Sequence, residues 1–348
     1  MQRLLVTGPR QVEFQEATTP ECPADGVLVR ARVTAVSTGT EIRVYRAKPV
    51  DAAGKFLHER VPFALPVENG YSMVGEVVEA GEQTEGFAAG DRVFVPASHK
   101  QWAGATVSQT TRIPENVSDE QAVFLNILGV AHIALRRGCP APGENVAIVG
   151  AGVIGLSALA YCRAFGFRTV VVEPCAERLA VARKMGAGLA LSPDTNNLAG
   201  RIADHFDGHG VGGHGVGGQG ADLVLEAASN WRAVRTSMEI VRERGTVVAV
   251  SRHTETPDFN PLGHPFTGKQ ITLLTSYGYP AAGARWDRDR SMALTLQMLA
   301  EGKLSVEPMI THRVEWRELP EVYRQLDGGA PDMLGVVVDW MKGEEEKE

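Results

Sequence analysis

The stretch Val146-Ala147-Ile148-Val149-Gly150-Ala151-Gly152-Val153-Ile154-Gly155 decides the fold. A short run of Val and Ile meets G-x-G-x-x-G and passes into Leu156-Ser157-Ala158-Leu159-Ala160, which reads as a helix. Strand, then glycines, then helix is the order that a dinucleotide fingerprint needs. Gly150 permits the tight turn, Gly152 lets backbone approach a pyrophosphate, and Gly155 lets helix pack on strand. The first helical residues, Val153 and Ile154, offer free N–H groups and the positive end of the helix dipole to an anion. A second strand, Arg168–Val172, runs into Glu173, 18 positions after Gly155. A carboxylate there is placed to accept both ribose hydroxyls of NAD and to repel the 2′-phosphate of NADP, so NAD is the expected cofactor. Arg178 is a candidate to stack on adenine or is an exposed helix arginine. Ser251, past the fifth strand, completes the expected cofactor set.

Working outward, strands and helices alternate from Asn145 to Ser276, as in a doubly wound parallel sheet. Candidate strands after the first two are Leu189–Leu191, Ala221–Leu225, Thr246–Val250 and Ile271–Ser276, and six strands complete two mononucleotide-binding halves. Candidate helices are Ala176–Met185, Leu198–His205 and Trp231–Arg242. Upstream, the first 115 or so residues are β-rich, with strands expected at Arg3–Val6, Val12–Gln15, Val27–Val36, Val74–Ala80, Arg92–Val95 and Ala105–Ile113. Thr40–Pro66 breaks that rhythm and reads as an active-site loop or short helix. Ser118-Asp119-Glu120-Gln121 is a capping-box pattern opening a long helix through Leu135. The tail adds helices about Arg290–Leu299 and Pro320–Leu326 and a strand at Leu334–Val338. The segment Asp207–Gly218 is low-complexity, and with His205 it carries three histidines. Glycine at that density leaves a metal site unorganised, so it reads as a surface loop.

At 348 residues the chain is expected to form two domains. A net charge of −7 gives no electrostatic case for nucleic acid or an anionic membrane. The start is broken by Gly8-Pro9 and does not read as a signal peptide, and no apolar run nears the ~20 residues of a membrane span. Four cysteines without CxxC spacing suggest reduced thiols and a cytoplasmic protein.

Further pieces fall in a fixed order: Gly39-Thr40-Glu41, Gly75-Glu76-Val77-Val78-Glu79-Ala80-Gly81, Gly90-Asp91-Arg92-Val93, Pro142-Gly143-Glu144-Asn145-Val146, Lys184-Met185-Gly186-Ala187, Gly220-Ala221-Asp222-Leu223-Val224 and Arg244-Gly245-Thr246. In this order the chain resembles the medium-chain dehydrogenase/reductase superfamily over nearly its whole length. The resemblance implies an α/β protein in which a Rossmann domain is inserted in a β-rich, GroES-like catalytic domain. The expected division is 1–123 with 279–348 for the catalytic domain and 124–278 for the NAD-binding domain. It also implies a homodimer or homotetramer and a small polar substrate.

The departures are as informative. Where zinc alcohol dehydrogenases of that family carry a ligating Cys, this chain has Thr38; their Gly-His-Glu corresponds to Gly70-Tyr71-Ser72. The third-ligand region, Phe124–Gly129, has neither Cys nor Glu, and no Cys lies between Cys22 and Cys139 to build a structural zinc lobe. Zinc needs about three N, S or carboxylate ligands plus an open position. No zinc is therefore expected, and the chain looks closest to sugar- and cyclitol-oxidising members and bacteriochlorophyllide dehydrogenases.

Hydride transfer at a carbinol also moves a proton at its oxygen. Without a Lewis acid, a side chain must do this by general acid–base catalysis. Tyr71 is the first candidate, standing where the family places a metal ligand; otherwise it is a core aromatic. Thr38 and Glu41 come next, Glu41 either relaying a proton and binding a polyol or bracing its loop. His99, before a catalytic-domain strand, is a further candidate, and His132, His253 and His264 are weaker ones. The expected activity is an NAD-dependent, zinc-independent exchange of hydride with a secondary alcohol or ketone of a sugar, cyclitol or related polyol. The alternatives are an NADPH-dependent quinone or enoyl reductase and a non-catalytic nucleotide-binding protein of the same fold.

Overall fold

The run that opens the nucleotide motif is buried along its whole length, as a parallel strand covered on both faces must be. The computed structural model describes residues 1–48, 64–207, 220–250, 253 and 255–342. In chain order the elements are β1 (Gln2–Gly8), β2 (Gln11–Glu16), β3 (Gly26–Val36), α1 (Thr40–Tyr45), β4 (Val67–Glu68), β5 (Met73–Ala80), β6 (Arg92–Val95), β7 (Trp102–Thr106), β8 (Thr111–Arg112) and α2 (Asp119–Ala122). There follow α3 (Leu125–Gly138), β9 (Asn145–Val149), α4 (Val153–Ala164), β10 (Arg168–Val172), α5 (Ala176–Lys184), β11 (Leu189–Leu191), α6 (Leu198–Asp207), β12 (Ala221–Glu226), α7 (Trp231–Ile240) and β13 (Val241–Ala249). The last are α8 (Phe266–Lys269), β14 (Thr272–Thr275), α9 (Arg288–Ala300), β15 (Ile310–Glu315), α10 (Leu319–Asp327) and β16 (Gly335–Asp339).

Two compact units result: residues 1–126, 296–300 and 310–348 form one, and 127–295 with 301–309 the other. Helix α9 runs across the division, its residues 296–300 grouping with the first unit. The first unit holds a three-stranded sheet, β2-β1-β4, and a seven-stranded sheet, β15-β16-β3-β5-β6-β8 with β7 also pairing β3. Its core joins Leu4, Val27, Val93 and Val336 to the rings of Trp316 and Trp340, which stack at 5.6 Å and 4°. The second unit is a six-stranded sheet in the order β11-β10-β9-β12-β13-β14, all pairs parallel. That order reverses direction at β9, where the glycine motif begins, which is the topological switch point at which doubly wound sheets take ligands.

Three local expectations change. Ala105–Ile113 is not one strand: Ala105 and Thr106 pair with β3, a 3₁₀ turn at Val107–Gln109 follows, and β8 pairs with β6. The Ser118 capping box forms, its hydroxyl accepting from the Gln121 N–H. The helix it opens stops at Ala122, however, and α3 starts afresh at Leu125. Helix α7 ends at Ile240, two residues early, because β13 begins at once. The Gly/His segment Asp207–Gly218 lies, past Asp207, outside the described residues. No helix among the described residues is long and apolar enough to cross a membrane.

Gly155 shows why the motif admits nothing larger: a Cβ there would stand 1.9 Å from the Gly150 carbonyl oxygen. Backbone cannot move aside as a flexible side chain can. Replacing Gly155 by Ala should therefore destabilise the protein by about 1–3 kcal/mol, as overpacking does. Chemical denaturation checks this, and an unchanged midpoint would refute the close α4–β9 packing.

Candidate active site

Each unit carries some of the residues singled out in the sequence. In the nucleotide unit, Gly150 adopts φ +102°, with Ala228 N 2.9 Å from where its Cβ would be. Gly152 caps α4 in extended backbone and has nothing within 4 Å of a built Cβ, so the space above the helix N-terminus is open to a ligand. Val153 and Ile154 form the first turn of that helix. Glu173 follows β10 directly and is 5% exposed. Its carboxylate accepts from the Ala151 N–H (2.7 Å) and the Cys175 N–H (3.1 Å), tying the strand end to the glycine loop. Beside it a cavity of about 180 Å³ is lined by Val149, Gly150, Val172, Pro174, Ala228 and Arg232. An open helix N-terminus, a carboxylate at the second strand end and an apolar slot beside it fit a dinucleotide's pyrophosphate, ribose and base. Arg178 is half-buried on α5. Ser251 lies outside the described residues.

A second strand-end carboxylate went unnoticed in the sequence. Glu226 closes β12, is wholly buried, and accepts from the N–H groups of Ala228 and Ser229 at 2.8 Å each. His253 Nε2 reaches its other oxygen at 2.8 Å. An acidic residue at the end of a buried parallel strand is the same signal that singled out Glu173.

In the β-rich unit, Glu41 on α1 and His99 are both 0% exposed. Of the two alternatives given for Glu41, the hydrogen bonds here are those of a brace for its loop, and His99 is enclosed with it. One Glu41 oxygen accepts from the Ser37 N–H at 2.7 Å. The other is approached by His99 Nε2 at 3.0 Å and by the Tyr323 hydroxyl. The Trp340 indole N–H can only donate, and it donates to Thr34 Oγ1 at 2.9 Å. The Thr34 proton is then free for His99 Nδ1 at 2.7 Å, which leaves the His99 proton on Nε2, facing Glu41. Burial and the adjacent carboxylate hold the Tyr323 hydroxyl well above the ordinary tyrosine value, so it stays a donor. Glu41 and His99 are thus braces that position Ser37.

What they position is more accessible. Tyr71 is half-buried, and its hydroxyl donates to Ser37 Oγ at 2.5 Å. Its carbonyl accepts from Asn126 Nδ2 at 2.9 Å. Thr38, next to Ser37, is also half-buried. The Asn126 amide thus ties the start of α3 to the Tyr71 segment, and the Tyr71 hydroxyl ties that segment to Ser37. Among the described residues no three His, Cys, Asp or Glu side chains gather as a metal set. Elsewhere, His132 is a packed core residue of α3 and His264 is half-buried before Pro265. Ser37, Asn126 and Tyr323 escaped the sequence reading: Tyr323 meets Glu41 across 282 positions, a pairing that no local pattern carries.

Two family models match, the alcohol dehydrogenase GroES-like domain over residues 23–142 and the zinc-binding dehydrogenase domain over 153–293. The chain is similar to the L-threonine 3-dehydrogenase of Pectobacterium carotovorum, 27% identical over 93% of this chain and 94% of the relative. It is similar also to the D-guloside 3-dehydrogenase of Shigella flexneri, 26% identical over 93% and 95%. Among solved structures, galactitol-1-phosphate dehydrogenase from Escherichia coli superposes with a TM-score of 0.81 at 17% identity, covering 98% and 100% of the two chains. The chain belongs to the medium-chain dehydrogenase/reductase superfamily, in its zinc-type alcohol dehydrogenase-like part. It is an oxidoreductase of that class.

Removing the Glu41 carboxylate would leave Ser37 N–H, His99 and Tyr323 buried without an acceptor. Glu41→Ala should cost about 3–5 kcal/mol, and Tyr323→Phe, which deletes one charge-assisted bond, about 1.5–3 kcal/mol. Urea denaturation of the two variants checks the ranking; equal, negligible losses would mean that the enclosed network is not structural.

Proposed function

We propose that the protein is an NAD-dependent dehydrogenase, working without zinc, that interconverts a secondary alcohol and a ketone on a sugar, cyclitol or related polyol. The observation that carries this reading is the Tyr71–Ser37 hydrogen bond, formed at a place where the family puts a metal ligand. Thr38, Tyr71 and Asn126 are a poor donor set for zinc, which wants thiolate, imidazole or carboxylate. They are a serviceable set for hydrogen-bonding a substrate oxygen. Relatives that include a D-guloside 3-dehydrogenase support a sugar-like substrate.

The nicotinamide, when bound, supplies or takes the hydride. Gly152 and the first turn of α4 would hold the pyrophosphate, Glu173 the ribose, and the slot lined by Val172 and Pro174 the base. In the reducing direction Tyr71 turns its hydroxyl proton from Ser37 Oγ to the carbonyl oxygen of the substrate, as a general acid. In the oxidising direction the proton returns along the same path, and Ser37 Oγ again accepts from the re-formed phenol. Thr38 is placed beside this pair to hydrogen-bond a neighbouring hydroxyl. Glu41 and His99 act through Ser37. Strand β14 ends the parallel sheet with an open edge, Leu273 and the following Tyr277 being 37% and 61% exposed. That edge supports pairing of two copies.

Tyr71→Phe should lower kcat by about 10²–10⁴-fold while NADH still binds with its native Kd. A variant with full kcat would remove Tyr71 from the chemistry. For the cofactor, Glu173→Ser should weaken NADH about tenfold and improve NADPH. Glu173→Gln, which keeps an acceptor for the Ala151 N–H but drops the charge, should improve NADPH without loosening the loop. Fluorescence titration with both cofactors checks this, and an unchanged NADH/NADPH ratio in both variants would overturn the NAD assignment.

A further inference from the structure

A second polar cluster in the nucleotide unit takes no part in the cofactor half-site. It is built on one face of α3, where Gly129, His132 and Arg136 follow at spacings of three and four. His132 is 0% exposed, stacks on Tyr161 at 5.2 Å and meets the edge of Trp286 at 5.3 Å. Arg136 Nε donates to His132 Nε2 at 3.2 Å. Arginine has no acceptor, so His132 Nε2 must be the bare nitrogen and Nδ1 must carry the proton. Burial, with Arg136 beside it, pulls His132 down to about 4, which keeps the ring neutral near pH 7. Its Nδ1–H is nevertheless buried with no acceptor.

Two more donors nearby share that state. The Tyr279 hydroxyl is buried without a partner, and burial pushes it up to about 12, so it keeps its proton. It lies 1.6 Å from where a Cβ of Gly129 would be, one helical turn before His132. Ser291 Oγ is likewise orphaned. It lies one turn before Thr295 in α9, and Thr295 Oγ1 bonds the Tyr161 hydroxyl at 2.6 Å. Buried polar groups are nearly always paired, and an exception calls for an unseen partner. Here the unpaired groups can all donate.

The charges around them ask for the same thing. The guanidinium groups of Arg136 and Arg290 lie 3.5 and 4.5 Å from the centre of the Trp286 ring. Arg285 and Arg290 both act on Arg136 as like charges, and together with its burial they lower its pKa. None of the three forms an ion pair with a carboxylate among the described residues; Asp287 accepts instead from the N–H groups of Gly283 and Arg290. Guanidinium stacked on an indole keeps its N–H edges available to an oxyanion.

We propose that this cluster is a phosphate-binding site, in which Arg136, Arg285 and Arg290 supply the charge and His132 Nδ1–H and the Tyr279 hydroxyl supply neutral donors. The phosphate is either free inorganic phosphate or the phosphate group of a phosphorylated sugar. The assignment stands independently of the zinc-free reading of the active site.

Trp286 makes the site observable. The full-length protein is titrated with inorganic phosphate, and separately with chloride at matched ionic strength, while tryptophan emission and Tm are followed. A saturable emission change and a rise in Tm with phosphate, absent with chloride, are expected. The midpoint should move at least tenfold higher in Arg136→Gln and again in Arg136→Gln/Arg285→Gln. Trp286→Phe should lose the emission change and keep the Tm shift. Equal responses to phosphate and chloride, or a phosphate midpoint untouched in the double variant, would overturn the proposal and leave the orphaned donors to water. The source is read in a second arm with a sugar phosphate as substrate. Inorganic phosphate competing with it assigns the site to the substrate's own phosphate, and binding without competition assigns it to free phosphate.

Discussion

The enclosed carboxylate of Glu41 is the constraint on which the β-rich unit turns. An ionised carboxylate out of water must have its lone pairs filled, or the fold cannot hold it. Here the donors come from segments far apart in the chain: the Ser37 N–H, His99 on the turn before β7, and Tyr323 on α10. Asn69 donates to the Glu41 carbonyl as well, at 3.1 Å. His99 is in turn fixed by Thr34, and Thr34 by Trp340 in the last turn of the described chain. An early and a late segment of the chain are therefore tied to one buried group. The Glu41 bond fixes the backbone of Ser37, whose hydroxyl accepts from Tyr71. In the proposed reading a buried acid thereby does the organising that a metal ion does by coordination.

The nucleotide unit uses the same device twice. Glu173 and Glu226 each follow or end a parallel strand and accept from backbone N–H groups of nearby loops, Glu173 from Ala151 and Cys175 and Glu226 from Ala228 and Ser229. Gly150 and Gly155 can have no side chain, because Ala228 and the Gly150 carbonyl fill that space. The carboxylates thus hold loops that apolar packing cannot. Glu173 holds Ala151 and, in the proposed reading, also sets the charge met by an incoming ribose. The Arg136–Trp286–Arg290 cluster is the opposite case, its arginines forming no ion pair with a carboxylate among the described residues.

Much of this was legible in the sequence. The glycine motif, the alternation after Asn145 and the acidic end of β10 are local signals with periods of two to four residues, and the parallel sheet followed from them. The departures at Thr38 and Tyr71 were legible only against a family pattern. What escaped was non-local or ambiguous at short range. Ala105–Ile113 has strand-forming composition throughout, yet β3 can pair only its first part before the chain must turn to reach β6. For Glu41 the sequence left a substrate group and a loop brace both open, and it offered His99 only as a candidate, because nothing nearby in the chain shows what encloses them. Their burial depends on Tyr323 and Trp340, close to the far end of the chain, which no window of sequence contains. The orphaned donors beside Trp286 needed a tautomer assignment, and that needs the Arg136–His132 geometry.

The most direct test of the account is turnover by the unmodified protein after exhaustive treatment with a chelator and confirmation that no zinc remains. NADH formation from NAD is followed across a panel of sugars and cyclitols. The account predicts undiminished turnover on at least one of them, because the proton is handled by Tyr71 and Ser37. Activity that vanishes on metal removal and returns on adding zinc would contradict it, and would mean that Thr38, Tyr71 and Asn126 surround a metal after all.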